Sequence, residues 1–284
     1  MVYLIISILS STAIFVSFKV FERYRIDNLQ AIVFNYVIAA GFGFLIYEGE
    51  FSFQTLHHNS WFPNAIIIGI AFIVAFNFFA LSTQKVGISI TAVSSKMSVV
   101  IPIVFAVILY HDKMNLLKVV GIIIAFFAFY LTFKQNVQLK LHRRFIILPV
   151  LLFISNGTID TLLKLTEHRH INDDLILFLS MIFLVALGAG LLILLVNYFF
   201  VKKKIHFRNI IAGTILGLLN FSATYYFLKA LGVFQSSVVF PILNVGIVAL
   251  SALTAFFIFK EKLALINWIG IFLAIVAILA IAYA

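Results

Sequence analysis

The chain has 284 residues, of which 64% are hydrophobic and only 11% are charged, and its mean hydropathy is +1.17. This composition excludes a soluble globular domain and indicates a protein that crosses the membrane several times. The formal charge of +10 does not indicate a nucleic-acid-binding protein, because the cations lie in short connections between apolar runs, where they can set orientation and meet anionic lipid headgroups.

Ten apolar runs follow one another along the chain, each long enough for a membrane-spanning helix of about 20 residues. The first begins at Val2, with no basic residue ahead of it and no small-residue cleavage site behind it, so we expect a retained helix rather than a signal peptide. The predicted spans cover residues 2–21, 29–47, 63–84, 88–110, 115–133, 145–166, 174–200, 209–231, 234–259 and 264–283.

The two halves of the chain resemble each other. Residues 10–28 align with 155–173, and residues 110–128 align with 259–277 in a register that differs by one helical turn. Charged and glycine pairs carry most of the weight of this alignment: Lys19 with Lys164, Glu22 with Glu167, Lys113 with Lys262, and Gly121 with Gly270. The sequence therefore predicts a five-helix repeat present twice, in residues 1–136 and 137–284.

An odd number of helices per repeat makes the second copy enter the membrane from the opposite side. The predicted fold is therefore an all-α integral membrane protein with ten transmembrane helices, arranged as two five-helix inverted-topology repeats. This arrangement is typical of transporters whose substrate site lies near the membrane midplane, where the two halves meet.

Two segments carry a resemblance to a known family. They are "KVGISITAVSSKMSVVIPIVFAVILYHDKM" (85–114) and "KALGVFQSSVVFPILNVGIVALSALTAFFIFKEKL" (229–263), each followed by a helix with a glycine. Both are similar to the EamA-type branch of the drug/metabolite transporter superfamily in having a small-residue turn, an apolar helix with a proline, and a short acidic turn. The resemblance covers the whole chain. It implies an alternating-access carrier of small organic solutes, with a central cavity between the halves and helices 5 and 10 at the periphery.

Two arguments about orientation disagree. Most Lys and Arg residues lie in the connections after odd-numbered helices, which predicts that these connections are cytoplasmic and that both termini lie outside. The family resemblance instead implies that both termini lie inside. Both orientations stay open at this point.

Two ionisable residues lie well inside predicted spans, where a charge is costly and indicates function. Lys96 in the fourth span lies at the edge of a polar stripe formed by Thr91, Ser94, Ser95, Ser98 and Pro102, which suggests a cavity-lining face. Asp160 in the sixth span shares a face with Asn156 and Lys164. We expect Lys96 to bind an anionic substrate group, or Asp160 to exchange a proton. The alternatives are a structural Lys96–Asp160 pair, or a Lys96 that extends to the membrane surface.

Further polar residues complete the candidate site. The predicted substrate-binding residues are Lys96, Ser95, Ser98, Asn77, Asn156, Asn220, Tyr225 and Asn244, and the predicted proton-coupling residue is Asp160. For Asn220 and Asn244, hydrogen bonding between packed helices is the competing interpretation, and "GTILG" (213–217) is interpreted as a packing motif. No catalytic residue, metal site or cofactor is predicted.

Four loop motifs are interpreted as structural. "HRHINDD" (168–174) resembles a metal site, but its repeat partner "YRIDN" (24–28) occupies the same turn, and capping of the next helix explains the acidic and amide residues. "KKKIHFR" (202–208) is interpreted as a loop that faces lipid headgroups. The turns "YHDKM" (110–114) and "FKEKL" (259–263) are interpreted as solvated helix caps, with a gating salt bridge as the alternative.

The sequence predicts a secondary transporter, either an exporter or an exchanger, of a small polar metabolite such as an amino acid or organic anion. Helices 1, 3, 4, 6, 8 and 9 are expected to line its midplane cavity. We expect a multi-pass protein of a bacterial inner or plasma membrane, with a homodimer through the peripheral helices as a further expectation. The alternatives are a membrane-embedded enzyme acting on lipid-linked substrates, which needs clustered acids or metal ligands, and a non-transporting membrane scaffold, which predicts a packed interior.

Overall fold

A computed structural model describes residues 2–49, 59–102, 104–105, 116–133, 145–170, 175–200, 204–231, 233–234 and 236–283. These residues form ten α-helices and no strand. In chain order the helices are α1 (Val2–Arg23), α2 (Asn28–Ile46), α3 (Phe62–Lys85), α4 (Ile88–Met97), α5 (Leu116–Phe133), α6 (Ile147–His170), α7 (Leu175–Phe200), α8 (Phe207–Leu231), α9 (Ser236–Phe257) and α10 (Leu265–Ala282).

Five of these helices are long and apolar enough to cross a membrane, within the part of the chain that the structure describes. They are α1, α2 and α3, most of α7, and the part of α8 up to Phe227. Shorter apolar stretches lie at 88–102 and within α5, α6, α9 and α10. The all-helical membrane architecture is thus confirmed, whereas the count of ten spans and the inverted arrangement remain predictions.

The fourth predicted span differs from its prediction. Residues 88–110 were expected to form one continuous helix, but α4 ends at Met97, and Ser98 and Val99 form a turn before helical structure resumes at Val100. The cause is Pro102, which has no N–H to donate to the Ser98 carbonyl and whose ring crowds that carbonyl. The N–H of Ile101 donates to the Ser98 oxygen instead, at 2.9 Å, which closes a tighter turn.

The chain divides into two compact units, and each draws on both predicted repeats. Unit 1 comprises residues Met1–Val20, Phe78–Gly157 and Ser222–Ala284, and unit 2 comprises Phe21–Asn77 and Thr158–Phe221. The predicted repeat boundary at 136/137 falls inside unit 1. The division into repeats at that boundary therefore stays a prediction about sequence, distinct from these spatial units.

Unit 1 contains two apolar clusters. In one, α5 packs extensively along α10, and α4 and α9 complete the cluster. Gly121 permits the close approach of α5 and α10, because a Cβ there would stand 2.8 Å from a side-chain carbon of Ile281. The second cluster joins α1, α4, α8 and α9. Close packing of this kind stabilises helix association within a membrane, where apolar burial alone supplies little driving force.

Unit 2 is built around α2, which packs along α7 and also contacts α8. The predicted packing motif at 213–217 lies on α8 and forms its contact with α2. A Cβ at Gly213 would stand 2.5 Å from the Ala31 carbonyl oxygen, and one at Gly217 would stand 2.8 Å from the Asn35 carbonyl oxygen. The backbones of α2 and α8 can approach this closely only because neither position has a side chain. The packing interpretation of "GTILG" is therefore confirmed.

Candidate functional site

The N-terminus of α4 is capped by a residue from a distant loop. Gly87, at the N-cap position, has no side chain to bond the first free N–H groups, and its φ of +119° is a conformation that favours glycine. Glu261, between α9 and α10, accepts a hydrogen bond from the backbone N–H of Ile88 at 2.9 Å. The carboxylate thus supplies the cap and also faces the positive end of the helix dipole.

Burial raises the pKa of the Glu261 carboxyl above its ordinary value, while the hydrogen bond from Ile88 and the positive charge of Lys19 act in the opposite direction. Lys19 on α1 also donates to the Gln84 carbonyl oxygen at 3.3 Å, and the Gln84 amide donates to the Phe18 carbonyl oxygen at 2.9 Å. These contacts connect α1, the end of α3 and the α9–α10 loop around the start of α4. Glu261 was predicted to be a solvated cap; it is a cap, but a half-buried one.

The missing local cap was the sequence signal for this contact. Gly87 is followed directly by apolar Ile88, with no Ser, Thr, Asp or Asn at the N-cap position. A buried helix start of this kind needs an acceptor from elsewhere in the fold.

The polar stripe of α4 is mostly turned inward. Thr91, Ser94 and Ser98 are buried, and their hydroxyls donate to the carbonyl oxygens of Gly87, Ile90 and Ser95 at 2.7–2.8 Å. The Thr91 hydroxyl also lies 2.8 Å from that of Ser82. The buried members of the stripe therefore satisfy their polar atoms within unit 1.

Ser95 and Lys96 are half-buried and lie in the last turn of α4, before the break that follows Met97. The Asn156 side-chain amide on α6 donates to the Ser95 hydroxyl at 2.8 Å. Beside it, Gly157 lets α6 approach the segment after the break, since a Cβ there would stand 2.6 Å from Ile101 Cβ. The structure thus brings together four of the predicted residues, Ser95, Lys96, Ser98 and Asn156, at one helix discontinuity.

The other predicted residues are distributed over both units, with Asp160 one helical turn after Asn156 on α6. In unit 2, the Asn77 amide donates to the Ile73 carbonyl oxygen of its own helix at 2.8 Å, and the Asn220 amide donates to Asn35 Oδ1 at 3.1 Å. The latter contact links α8 to α2, as the helix-packing interpretation of Asn220 expects. Asp160 lies in the unit 2 part of α6 and is exposed.

Tyr225 and Asn244 belong to unit 1 and are half-buried. Tyr225 contacts Tyr226 edge to face, with ring centroids 5.4 Å apart, and the Lys229 ammonium lies 5.5 Å from the centre of its ring. Tyr225 is therefore held in a cation–π contact at the end of α8.

Of the loop motifs, the capping interpretation of "YRIDN" is confirmed, because Asp27 Oδ1 accepts from the Gln30 N–H at 3.0 Å at the start of α2. The acidic residues of "HRHINDD" and the whole of "YHDKM" lie outside the described residues. Among the described residues, no group of three or more His, Cys, Asp or Glu side chains could hold a metal ion.

Sequence reasoning missed a buried polar cluster in unit 2. Gln30 accepts from the Asn209 side-chain amide at 2.6 Å and from the His206 N–H at 3.2 Å, and its own amide donates to the Lys204 carbonyl oxygen at 3.0 Å. Gln30 and Asn209 are each 1% exposed. The available signal was an amide residue in the first turn of each of two otherwise apolar helices.

Comparison with known proteins agrees with the resemblance seen in the sequence. Residues 1–134 match the EamA-like transporter family. An uncharacterized protein of Haemophilus influenzae is 26% identical over 291 aligned positions, which cover 99% of this chain and 97% of that protein. Together with the apolar helices, the match indicates a multi-pass integral membrane protein. Residues 1–134, slightly less than half of the chain, are therefore similar to the EamA-like transporter family, part of the drug/metabolite transporter superfamily.

Proposed function

We propose that the protein is a secondary transporter that exports or exchanges a small polar metabolite carrying an anionic group, such as an amino acid or organic anion. The transporter class rests on the family match of residues 1–134. The anionic group rests on one observation, the position of Lys96 in the last turn of α4, beside the break that follows Met97. Helix discontinuities are where transporters commonly place their substrate sites.

The surroundings of Lys96 support this role. The Ser95 hydroxyl already has a hydrogen-bond partner in Asn156, which gives that pair a defined position one residue from the lysine. Glu261, through its cap on Ile88, fixes the other end of the same short helix. A binding residue on a helix held at both ends needs little reorganisation when the solute arrives.

Asp160 is proposed to couple transport to a proton. It is exposed within a predicted span, and an ionisable group at such a depth requires water or a polar partner rather than lipid around it. If this role is correct, Asp160→Asn makes transport independent of an imposed pH gradient. A variant that transports at a reduced rate but keeps the full gradient dependence would assign Asp160 another role.

We also propose that the two repeats are inverted and that the protein resides in a bacterial inner membrane. The packing of two helix pairs supports the repeat arrangement: α5 packs against α10, and α2 packs against α7. In each pair the two helices hold the same position in their respective predicted repeats, the fifth in one pair and the second in the other. Two-fold related repeats produce pairing of this kind.

The proposed function is tested by metabolite profiling of cells that over-produce the protein, compared with cells carrying the empty vector. Medium and cytosol are measured separately. A small anionic or zwitterionic compound that moves from one to the other only in producing cells supports the proposal and names the substrate. An unchanged distribution of all such compounds, at verified membrane expression, would favour an enzyme or scaffold instead.

A further inference from the structure

Two basic loops meet on one surface of unit 2. The first carries Arg23, the last residue of α1, and Arg25 after it; the second carries Lys204 and His206 before α8, and Arg208 follows in the first turn of α8. All five side chains are exposed. We refer to them as the basic patch.

The buried cluster around Gln30 holds the two loops together. The Gln30 side chain bonds the backbone of Lys204 and His206, and the Asp27 N–H donates to Asn209 Oδ1 at 3.2 Å. Since Gln30 and Asn209 are almost fully buried, these hydrogen bonds do not exchange freely with water. The backbone segments that carry these cations are therefore held next to each other.

The backbone of Arg25 adds an independent observation. The helix α1 ends in a Schellman motif, in which Ile26 N–H bonds the Phe21 carbonyl at 2.9 Å and Arg25 N–H bonds the Glu22 carbonyl at 3.3 Å. Arg25 takes the left-handed position of this motif, with φ of 51°, where glycine is favoured. An arginine at this position costs conformational energy, which is consistent with a role for its charge.

The basic patch lies at the membrane surface. Candidate spans end at Arg23 and begin at Phe207, on either side of the hydrogen-bonded loops. Apolar side chains accompany the cations: Tyr24 is 63% exposed, Phe207 73% and Ile205 49%. Aromatic residues beside Lys and Arg at the ends of spans are typical of the region where lipid headgroups lie.

We propose that the basic patch is a binding site for the headgroups of anionic phospholipids. The cations contact the lipid phosphate, and Tyr24, Ile205 and Phe207 insert beside them at the headgroup level. Clusters of four or more Lys and Arg next to a span attract anionic lipid in proportion to their number. Here the folded structure, rather than a continuous basic stretch, assembles the cluster from two loops.

The test measures lipid preference of the full-length protein by native mass spectrometry, after incubation with equal amounts of phosphatidylglycerol and phosphatidylcholine of identical chains. Wild type is expected to retain phosphatidylglycerol preferentially. Arg25→Gly is expected to lower the ratio of the two bound lipids about fivefold.

Lys260→Gly is the matched control. Lys260 is also exposed and also has a left-handed backbone, with φ of 52°, but it lies in unit 1, in the α9–α10 loop. Both glycine variants lose one positive charge and relieve the same backbone strain. Both are expected to melt at or above the wild-type temperature in phosphatidylcholine, and only Arg25→Gly is expected to change the lipid ratio.

Arg23→Gln gives a second variant whose helical backbone is unchanged, and it is expected to lower the ratio by a similar factor. The proposal would be overturned if Arg25→Gly and Lys260→Gly lowered the ratio of bound phosphatidylglycerol to phosphatidylcholine equally. It would also be overturned if Arg25→Gly and Arg23→Gln both kept the wild-type lipid ratio. Replacing chloride by inorganic phosphate at constant ionic strength is expected to leave the ratio unchanged. Complete loss of the lipid preference in phosphate would identify a free-phosphate site instead.

Discussion

At the scale of single residues, Glu261 shows how a distant side chain can perform a local task. The turn before α4 provides no capping residue, and the Glu261 carboxylate takes that position from the α9–α10 loop. Gly87 is required there both for its positive φ and because a Cβ would stand 2.9 Å from a Glu261 carboxylate oxygen. The sequence identifies the acidic turn, but chain spacing alone does not indicate which helix it caps.

Two substitutions of Glu261 are expected to act in opposite directions. Burial raises the folded-state pKa above the ordinary value of 4.5, so the folded state binds a proton that the unfolded state has released. The associated stability is fully present below 4.5 and is lost as pH rises through the raised pKa. Glu261→Gln, which keeps an acceptor for the Ile88 N–H, is expected to lack this loss, so its melting temperature rises relative to wild type with increasing pH.

Glu261→Ala removes the cap itself and is expected to destabilise the protein by about 1 kcal/mol below pH 4.5, with the difference from wild type narrowing as pH rises through the raised pKa. Thermal melting of both variants across the pH range measures the two effects separately. A difference in melting temperature between Glu261→Gln and wild type that stays the same at every pH would contradict the account of the raised pKa.

At the scale of helices, α4 was predicted less accurately than its neighbours. Apolar periodicity extended it to residue 110. Pro102 instead ends the regular helix before Ser98, because it has no N–H to donate to the Ser98 carbonyl four residues earlier in the chain. The stripe from Thr91 to Ser98 was correctly placed on one face. Its mostly buried environment was not predictable, since helical spacing does not distinguish a cavity wall from a packed contact between polar side chains.

Pro102→Ala tests whether the break matters for transport. Alanine restores an N–H that can bond the Ser98 carbonyl, so the regular helix is expected to continue through residue 98. We expect melting temperature to stay equal or rise while transport of the identified solute falls at least about tenfold, the equivalent of 1.4 kcal/mol in rate. Unaltered transport would show that the discontinuity has no part in solute binding.

The contact between α2 and α8 was predicted more successfully, because small residues four apart have a direct physical consequence for packing. Gly213→Ala is expected to destabilise unit 2 by about 1–3 kcal/mol, since the added methyl meets rigid backbone at Ala31. Gly188→Ala on α7 is the control, because a Cβ there has no neighbour within 4 Å. Thermal melting should show a loss for Gly213→Ala alone; equal melting of the two variants would contradict the packing account.

At the scale of the whole molecule, the sequence predicted the helical membrane architecture and the order of ten helices. Hydropathy is sufficient for this because lipid leaves the backbone no alternative to internal hydrogen bonding. The two compact units were not predicted. Each combines segments from both halves of the chain, and such long-range pairing depends on side-chain shapes that one sequence does not display.

The candidate site shows the same difference between local and long-range information. Ser95, Lys96 and Ser98 come together because they are neighbours in sequence, and Asn156 joins them through the close approach of α6. Asn220 was assigned to the site, but its amide bonds Asn35 on α2. Its polarity alone gave no means of distinguishing a solute contact from a contact between helices.

The most direct test of the central claim is counterflow of the identified solute into proteoliposomes containing wild type, Lys96→Met or Lys262→Met. The control removes an exposed lysine from the α9–α10 loop. Because hydrogen bonds to charged groups contribute about 1.5–3 kcal/mol, we expect Lys96→Met to lower the initial rate at least about tenfold and Lys262→Met to leave it unchanged. Equal rates for Lys96→Met and wild type would show that Lys96 does not bind the transported solute.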